Sequence, residues 1–316
     1  MSIVTLTLHP ALDKSTSTDH IVPDHKLRCA PLRIDAGGGG INVSKGIRKL
    51  DGQSTAVFPV GGANGDLLCS LLEKAGIATQ LLPVPHDTRE SFSVTETRSN
   101  QQYRFTVAGG EMTEAQADQC LDMVKKLRPT WLVASGSLPP GLPENYFEKV
   151  VHLARQIDAK LILDTSGAAL SPAVEKGVFL LKPNLAELSM LAGVAHLEMN
   201  EVDDAALKII HAGKCEVMVV SLGPQGALLV TRDGFEHIPA PMVKKQTTVG
   251  AGDSMIAGMV WALEAGKPLR EMAQIGVACG SAATMNTGTE LFQAADVWRL
   301  FDWIGSYGER YRFTDF

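Results

Sequence analysis

No two cysteines are spaced C-x-x-C, no run of lysines and arginines occurs, and no apolar stretch approaches a membrane span. Each absence removes a class of protein. The five cysteines are scattered at Cys29, Cys69, Cys120, Cys215 and Cys279, which leaves out zinc and thiol-redox motifs. Their odd number speaks against a disulfide framework and for a reducing compartment. Met1 to Pro10 has no basic flank and only a short alternating apolar run, so it does not read as a signal peptide. The expected location is the cytoplasm. The formal net charge is −6 with no basic patch, which argues against a nucleic-acid surface. An anionic substrate must then be held by a few placed cations, not by a general field. There is no G-K-[ST] triplet and no G-x-G-x-x-G after a strand, so neither a Walker A loop nor a dinucleotide fingerprint is present.

What is there suits one globular domain. The 316 residues are 45% hydrophobic and 20% charged, ordinary for a chain that buries a large core without staples. Strand patterns fall at Ile3 to Leu8, Thr55 to Val60, Trp131 to Ala134, Lys160 to Asp164, Val178 to Leu181, Glu216 to Ser221 and Ala227 to Thr231. Helical patterns cover Ile41 to Leu50, Asp66 to Ala75, Glu144 to Ile157, a start near Leu185, Asp253 to Glu264, Leu269 to Asn286 and Ala294 to Trp303. Thr113 and Gln116 form a capping box that opens a helix to about Leu127. Strands alternating with helices predict a parallel sheet covered on both faces. Two segments fit that sheet poorly. These are about 14–33, which is polar, and about 90–107, where alternating runs at Ser91 to Thr97 and Gln102 to Val107 flank Ser99-Asn100. They are assigned to a small β lid.

Four segments carry chemistry. The strongest is Thr248-Val-Gly-Ala-Gly-Asp253, which runs straight into a helix. Its glycines let the backbone approach a ligand closely. The helix start offers unpaired N–H groups to an anion, and Asp253 puts a carboxylate beside them. Phosphoryl transfer needs that pairing of anion donors and a proton acceptor. An Asp N-cap after a glycine turn is the structural alternative. The second is Gly37 to Gly40 with Ile41-Asn42, read either as backbone against a small ligand with Asn42 on its hydroxyls or as a flexible loop. The third, Lys182-Pro-Asn184 with Glu187, is either an ordinary strand-to-helix junction or a pair orienting water around Mg²⁺. The fourth, Ser221-Leu-Gly-Pro-Gln-Gly226, is a glycine turn between strands, which taken in isolation reads as a plain hairpin.

Taken together and in this order, these segments resemble the ribokinase-like carbohydrate kinases, the PfkB group. Lys26-Leu-Arg28-Cys29, Ser135-Gly-Ser-Leu-Pro-Pro-Gly141 and Gly280-Ser-Ala-Ala-Thr284 strengthen the likeness to its members acting on phosphorylated hexoses. Gly39 does too, since other branches usually carry Lys within the glycine run. The resemblance implies a three-layer α/β/α fold with a mostly parallel central sheet and a β lid that pairs two subunits into a homodimer. It implies ATP as co-substrate, Mg²⁺, and fructose 6-phosphate as acceptor. Tagatose 6-phosphate and fructose 1-phosphate are the enzymatic alternatives, and an inactive sugar-phosphate sensor is the other. Asp253 would be the base, with Gly250, Ala251 and Gly252 as the anion hole. Asp13, Gly38, Gly39 and Asn42 would hold sugar hydroxyls, and Lys26, Arg28 and Arg89 the sugar phosphate, with Ser137 nearby. Lys182, Asn184, Ser221, Gly223, Gly226 and Thr248 would line the nucleotide site. Glu187 would serve Mg²⁺ through water. Thr247, Val249, Ala283, Asn286 and Gly288 would border a K⁺ site. Glu290 departs from the family pattern, where Arg is usual, and its charge would favour such an ion unless a neighbouring cation pairs with it.

Overall fold

A computed structural model describes residues 2–286 and 290–310. Among them thirteen strands form two sheets. In chain order they are β1 (Ile3–Leu6), β2 (Ala11–Thr18), β3 (Arg33–Gly37), β4 (Thr55–Val60), β5 (Ala78–Pro83), β6 (Arg89–Glu96), β7 (Gln101–Thr106), β8 (Trp131–Ser135), β9 (Lys160–Asp164), β10 (Val178–Leu181), β11 (Cys215–Ser221), β12 (Ala227–Thr231) and β13 (Gly234–Ile238). The helices are α1 (Gly39–Lys49), α2 (Gly62–Lys74), α3 (Glu114–Leu127), α4 (Phe147–Gln156), α5 (Leu170–Val174), α6 (Leu185–Leu191), α7 (Val202–His211), α8 (Ala251–Glu264), α9 (Leu269–Thr284) and α10 (Ala294–Arg310). The large sheet runs β13-β12-β11-β10-β9-β8-β1-β4-β5, and β3-β2-β6-β7 make the small one. From β11 to β5 all neighbours pair parallel, while β12 and β13 are antiparallel additions.

Side-chain alternation builds three layers. Val4, Leu6, Leu132, Ala134, Leu161 and Leu163 face a core closed by α3 to α7. Ile3, Trp131, Val133 and Ile162 face a second core closed by α1 and α8 to α10. With both faces covered, the central strands read as unbroken apolar runs. Each fully buried Leu or Ile contributes about 1.5–3 kcal/mol. A buried hydroxyl pair, Thr5 Oγ1 and Ser44 Oγ at 2.8 Å, fixes α1 on β1. The capping box of α3 forms as expected, with Gln116 N donating to Thr113 Oγ1 at 3.3 Å and Thr113 N to Gln116 Oε1 at 2.9 Å. Such a cap is worth about 1 kcal/mol.

The lid differs in its boundaries from the expected 14–33 and 90–107. Its strands begin nearer the main sheet, at Ala11 and Arg89, and residues 19–32 form a loop. Thr95 and Glu96 pair with Gln102 and Gln101 around Asn100, whose φ is 57°, so the expected hairpin is present. Strands β5 and β13 and helices α5 and α7 went unread in the sequence. The lid grows from the carboxyl edge of the large sheet. Four residues separate β1 from β2, and β3 passes almost directly into α1.

Candidate functional site

The strand order turns at β1. From there the chain builds β4 and β5 on one side and β8 to β11 on the other. Open α/β sheets bind ligands at such a switch point, outside the carboxyl ends of the strands. Ser135, Asp164 and Ser221 end β8, β9 and β11, and Lys182 follows β10. The glycine run opens α1 at the same edge, and the lid rises over it.

The segment before α8 forms the tight turn that opens this helix. Gly250 is the helix N-cap with φ 70°, a left-handed conformation that a side chain would strain. Ala251 and Gly252 form the first turn; Ala251 N donates to the Thr248 carbonyl at 3.4 Å, and no side chain among the described residues caps the helix, which leaves the start of its first turn open to an anion. Asp253 projects from that turn. Its Oδ2 accepts a hydrogen bond from Asn42 Nδ2 at 2.9 Å. Burial pushes the Asp253 carboxyl up to about 6, and Asp164 adds to the rise, while Asn42 and Lys182 oppose it. Buried Lys182 lies 3.3 Å from Asp164 Oδ1. Burial alone would lower its pKa, but Asp164, Glu187 and Asp253 outweigh that and the ammonium stays charged.

The glycine run is not a loose loop: it ends β3 and opens α1. A Cβ on Gly39 would come within 2.2 Å of Ser135 Oγ and 2.8 Å of Gly136 N, so glycine is needed for helix α1 to approach β8. Gly38 precedes that helix as its N-cap. Asp13 pairs with Asp35 across β2 and β3. Burial raises its carboxyl to about 6, against the pull of Lys45 and Arg89. Arg89 opens β6 opposite Ala11 and donates from Nη2 to the His9 carbonyl at 3.3 Å. Its Nε is buried without a partner among the described residues. Ser137 Oγ lies 3.2 Å from His9 Nδ1, and His9 Nε2 is 2.9 Å from the Ala108 carbonyl. A carbonyl only accepts, so Nε2 carries the proton and Ser137 donates to Nδ1.

Across the site, Ser221 N donates to the Pro183 carbonyl at 2.8 Å, and an isolated bridge joins Asn184 to Ser221. The Lys182-Pro-Asn184 segment and the Ser221 to Gly226 turn are therefore neighbours, with β11 and β12 an antiparallel hairpin around Gly223 and Gly226. Asn184 and Glu187 close a capping box on α6: Glu187 N donates to Asn184 Oδ1 and Asn184 N to Glu187 Oε2, both at 2.9 Å. That engages Asn184 Oδ1 and Glu187 Oε2 at the start of α6. Thr247 N reaches the Thr284 carbonyl at 3.3 Å, and Asn286 N the Ala283 carbonyl at 3.3 Å. This brings the segment holding Thr247, Thr248 and Val249 against the end of α9. Gly288 lies outside the described residues.

Lys26 and Arg28 do not join this constellation. Both are exposed on the loop beyond Thr18. The seven steps of β2 from Ala11 to Thr18, at about 3.4 Å each, put that loop roughly 24 Å from the Arg89 end. Glu290 accepts from Arg33 Nη1 at 2.9 Å, and Arg33 Nε donates to Asp35 Oδ2 at 2.8 Å. Its charge is thus paired within the chain. Three residues at this edge went unnoticed in the sequence, His9, Lys45 and Asp164, and Ser135 was read only as the start of the Ser135 to Gly141 motif. Lys45 had one signal, its place three residues after Asn42 on the same helix face. Asp164 had none beyond ending a strand.

Residues 12–295 match the profile described as pfkB family carbohydrate kinase. The ATP-dependent 6-phosphofructokinase isozyme 2 of Mycobacterium tuberculosis is 43% identical over 302 residues, covering 95% of this chain and 89% of that one. The protein of the same name from Escherichia coli K12 is 41% identical over 304 residues, 96% and 98% of the two chains. The crystal structure of Escherichia coli phosphofructokinase-2 with substrates and products superposes with a TM-score of 0.93 at 40% identity, over 96% of this chain and 100% of that one. A structure of the same protein with potassium gives 0.92 at 40% identity, over 96% and 99%. With the profile spanning most of its length and two relatives above 40% identity, this chain belongs to the pfkB family of carbohydrate kinases.

Proposed function

We propose that this chain transfers the γ-phosphoryl group of ATP to the free primary hydroxyl of fructose 6-phosphate, giving fructose 1,6-bisphosphate and ADP. The observation that carries this reading is the Asn42–Asp253 hydrogen bond at the uncapped start of α8. It places a carboxylate of raised pKa beside amides that suit phosphoryl oxygens. The names of the relatives support the acceptor. Asp253 takes the proton from the hydroxyl as its oxygen attacks the γ-phosphorus. The new O–P bond forms while the bond to the bridging β–γ oxygen breaks. The Gly250, Ala251 and Gly252 backbone and Lys182 hold the transferred charge. Asp13, Asn42 and the backbone at Gly38 and Gly39 orient the sugar, and Arg89 with Ser137 binds its phosphate. Ser221, Gly223, Gly226 and Thr248 border the nucleotide, near the backbone of Asn184.

Glu187 suits Mg²⁺ held through water. Among the described residues no three His, Cys, Asp or Glu side chains cluster as ligands. Glu187, with Asp164 within electrostatic reach across Lys182, suits an ion that keeps waters and phosphate oxygens. Mg²⁺ neutralises phosphate charge when bound. The neighbouring Thr247, Val249, Ala283 and Asn286 backbone supports a K⁺ site. A coupled assay tests the acceptor with fructose 6-phosphate, tagatose 6-phosphate, fructose 1-phosphate and fructose. The highest kcat/KM is expected with fructose 6-phosphate. A higher value with any other acceptor, or no turnover at all, sinks this reading.

A further inference from the structure

Lys45 is the cation at the centre of the sugar side of the site. Its Nζ donates to the Ala36 carbonyl at 2.7 Å and reaches Asn42 Oδ1 at 3.4 Å. The charged groups around it come from three elements: Asp13 on β2, Arg33 and Asp35 on β3, and Asp253 on α8. Burial lowers its pKa, the three carboxylates oppose that fall, and Arg33 adds to it.

The two ends of the Asn42 amide are nearly the same size but opposite in polarity. An ammonium only donates, and an ionised carboxylate only accepts. Lys45 therefore faces Oδ1, which leaves the NH₂ end to face Asp253 at 2.9 Å. A flipped amide would set its NH₂ against the ammonium and its oxygen against the carboxylate, two repulsive contacts in place of two attractive ones. The anchor at Ala36 also ties this orientation to the root of lid strand β3.

We propose that Lys45 is a positioning residue for phosphoryl transfer: it fixes the orientation of the Asn42 amide so that Asn42 donates to the base. This rests on Asp253 being the base. Lys182, Asp164 and Asp13 also face Asp253 and remain in place when Lys45 is changed, so a shift caused by Lys45 is read against a constant background.

The experiment compares kcat/KM across pH for the native enzyme, Lys45→Met, Lys45→Arg, Asn42→Ala and the Lys45→Met/Asn42→Ala double variant. Lys45→Met should move the acidic limb up by about one pH unit, because one opposite charge and the aim of one charge-assisted hydrogen bond are lost. At pH 7 its kcat should fall by about tenfold. Lys45→Arg should bring the limb back toward native. The double variant should be little worse than Asn42→Ala, since one residue acts through the other. If Lys45→Met does not fold, Lys45→Gln keeps a donor for the Ala36 carbonyl and removes the charge. A native limb and native kcat in a folded, uncharged Lys45 variant overturn the proposal, as does full additivity in the double variant. Titration of the Asp253 ¹³C-carboxyl resonance gives the same comparison without turnover. Asp253→Asn run in parallel separates the two readings: native kcat there rejects the base assignment, whatever Lys45 does.

Discussion

Arg33 on lid strand β3 holds Glu290, beyond helix α9, through Nη1 and Oε2 at 2.9 Å. The pair joins the edge of the lid to the segment that follows the proposed cation site. Both side chains are partly exposed, and such a pair contributes roughly 0–1 kcal/mol. Its consequence is electrostatic: the carboxylate charge is answered by Arg33 and does not bear freely on a nearby ion. K⁺ titrations of activity, with Na⁺ holding ionic strength constant, should give half-saturation values for the native enzyme and Glu290→Gln within about twofold of each other, since a directly acting charge at close range would shift binding by tenfold or more. A tenfold weakening in the variant would mean that Glu290 acts on the ion directly.

Asp253→Asn should lower kcat by at least about 10²-fold, the usual weight of a general base, and change KM far less. The same change should not lower Tm. A carboxyl raised to about 6 in the fold binds its proton more tightly folded than unfolded. Its charged form therefore costs stability above pH 6, and that cost is relieved as pH falls from about 6 toward the unfolded value near 4. For catalysis the sign is opposite, since only the ionised base accepts a proton. In the native enzyme kcat/KM should fall below about pH 6, and Asp13, also near 6, titrates in the same window. Thermal melts and pH–rate profiles of both proteins check this.

Arg89→Ala should raise KM for fructose 6-phosphate by at least tenfold and leave KM for ATP within about twofold. A guanidinium grips phosphate through paired N–H groups, and Arg89 has an unpartnered Nε buried at the site. Arg28→Ala provides the contrast. Within one subunit Arg28 lies on the distal loop of the lid, so it reaches a phosphate only if a second subunit presents one. Steady-state kinetics of the two variants decides which arginine belongs to the phosphate subsite of its own chain.

The lid should form a subunit contact. Strand β7 is an edge, and Tyr103, Phe105 and Val107 are 37%, 56% and 58% exposed on it and just past it. Leu27 and Leu32 on the neighbouring loop are exposed as well. Bare edges with apolar side chains invite pairing with another chain. Sedimentation velocity at micromolar concentration should show an oligomer for the native protein and a smaller species for Phe105→Glu. A native monomer with full activity would rule the contact out.

The sequence by itself determined the parts that depend on short-range chemistry. The central strands are legible because burial on both faces leaves them apolar throughout, as at Trp131–Ser135. The start of α8 is legible because a left-handed N-cap needs Gly250. The α3 cap is legible because Thr113 and Gln116 satisfy each other three residues apart. Asp253 and Asn42 stand in the ordered set of motifs, and Arg89 is implied by the family resemblance alone. Only the tertiary structure decided how these pieces meet. It brought Asn42 to Asp253 across 211 positions, and it set Lys182 against Asp164 and Lys45 among three carboxylates. It kept Lys26 and Arg28 away from Arg89 and gave Glu290 a partner in Arg33. No local pattern carries these facts, because long-range contacts follow from strand order and from the angle at which the lid leaves the sheet. Polar side chains such as Lys45 and Asp164 have the same local propensities on a surface as in a site. What distinguishes them is the set of opposite charges that the fold places within reach.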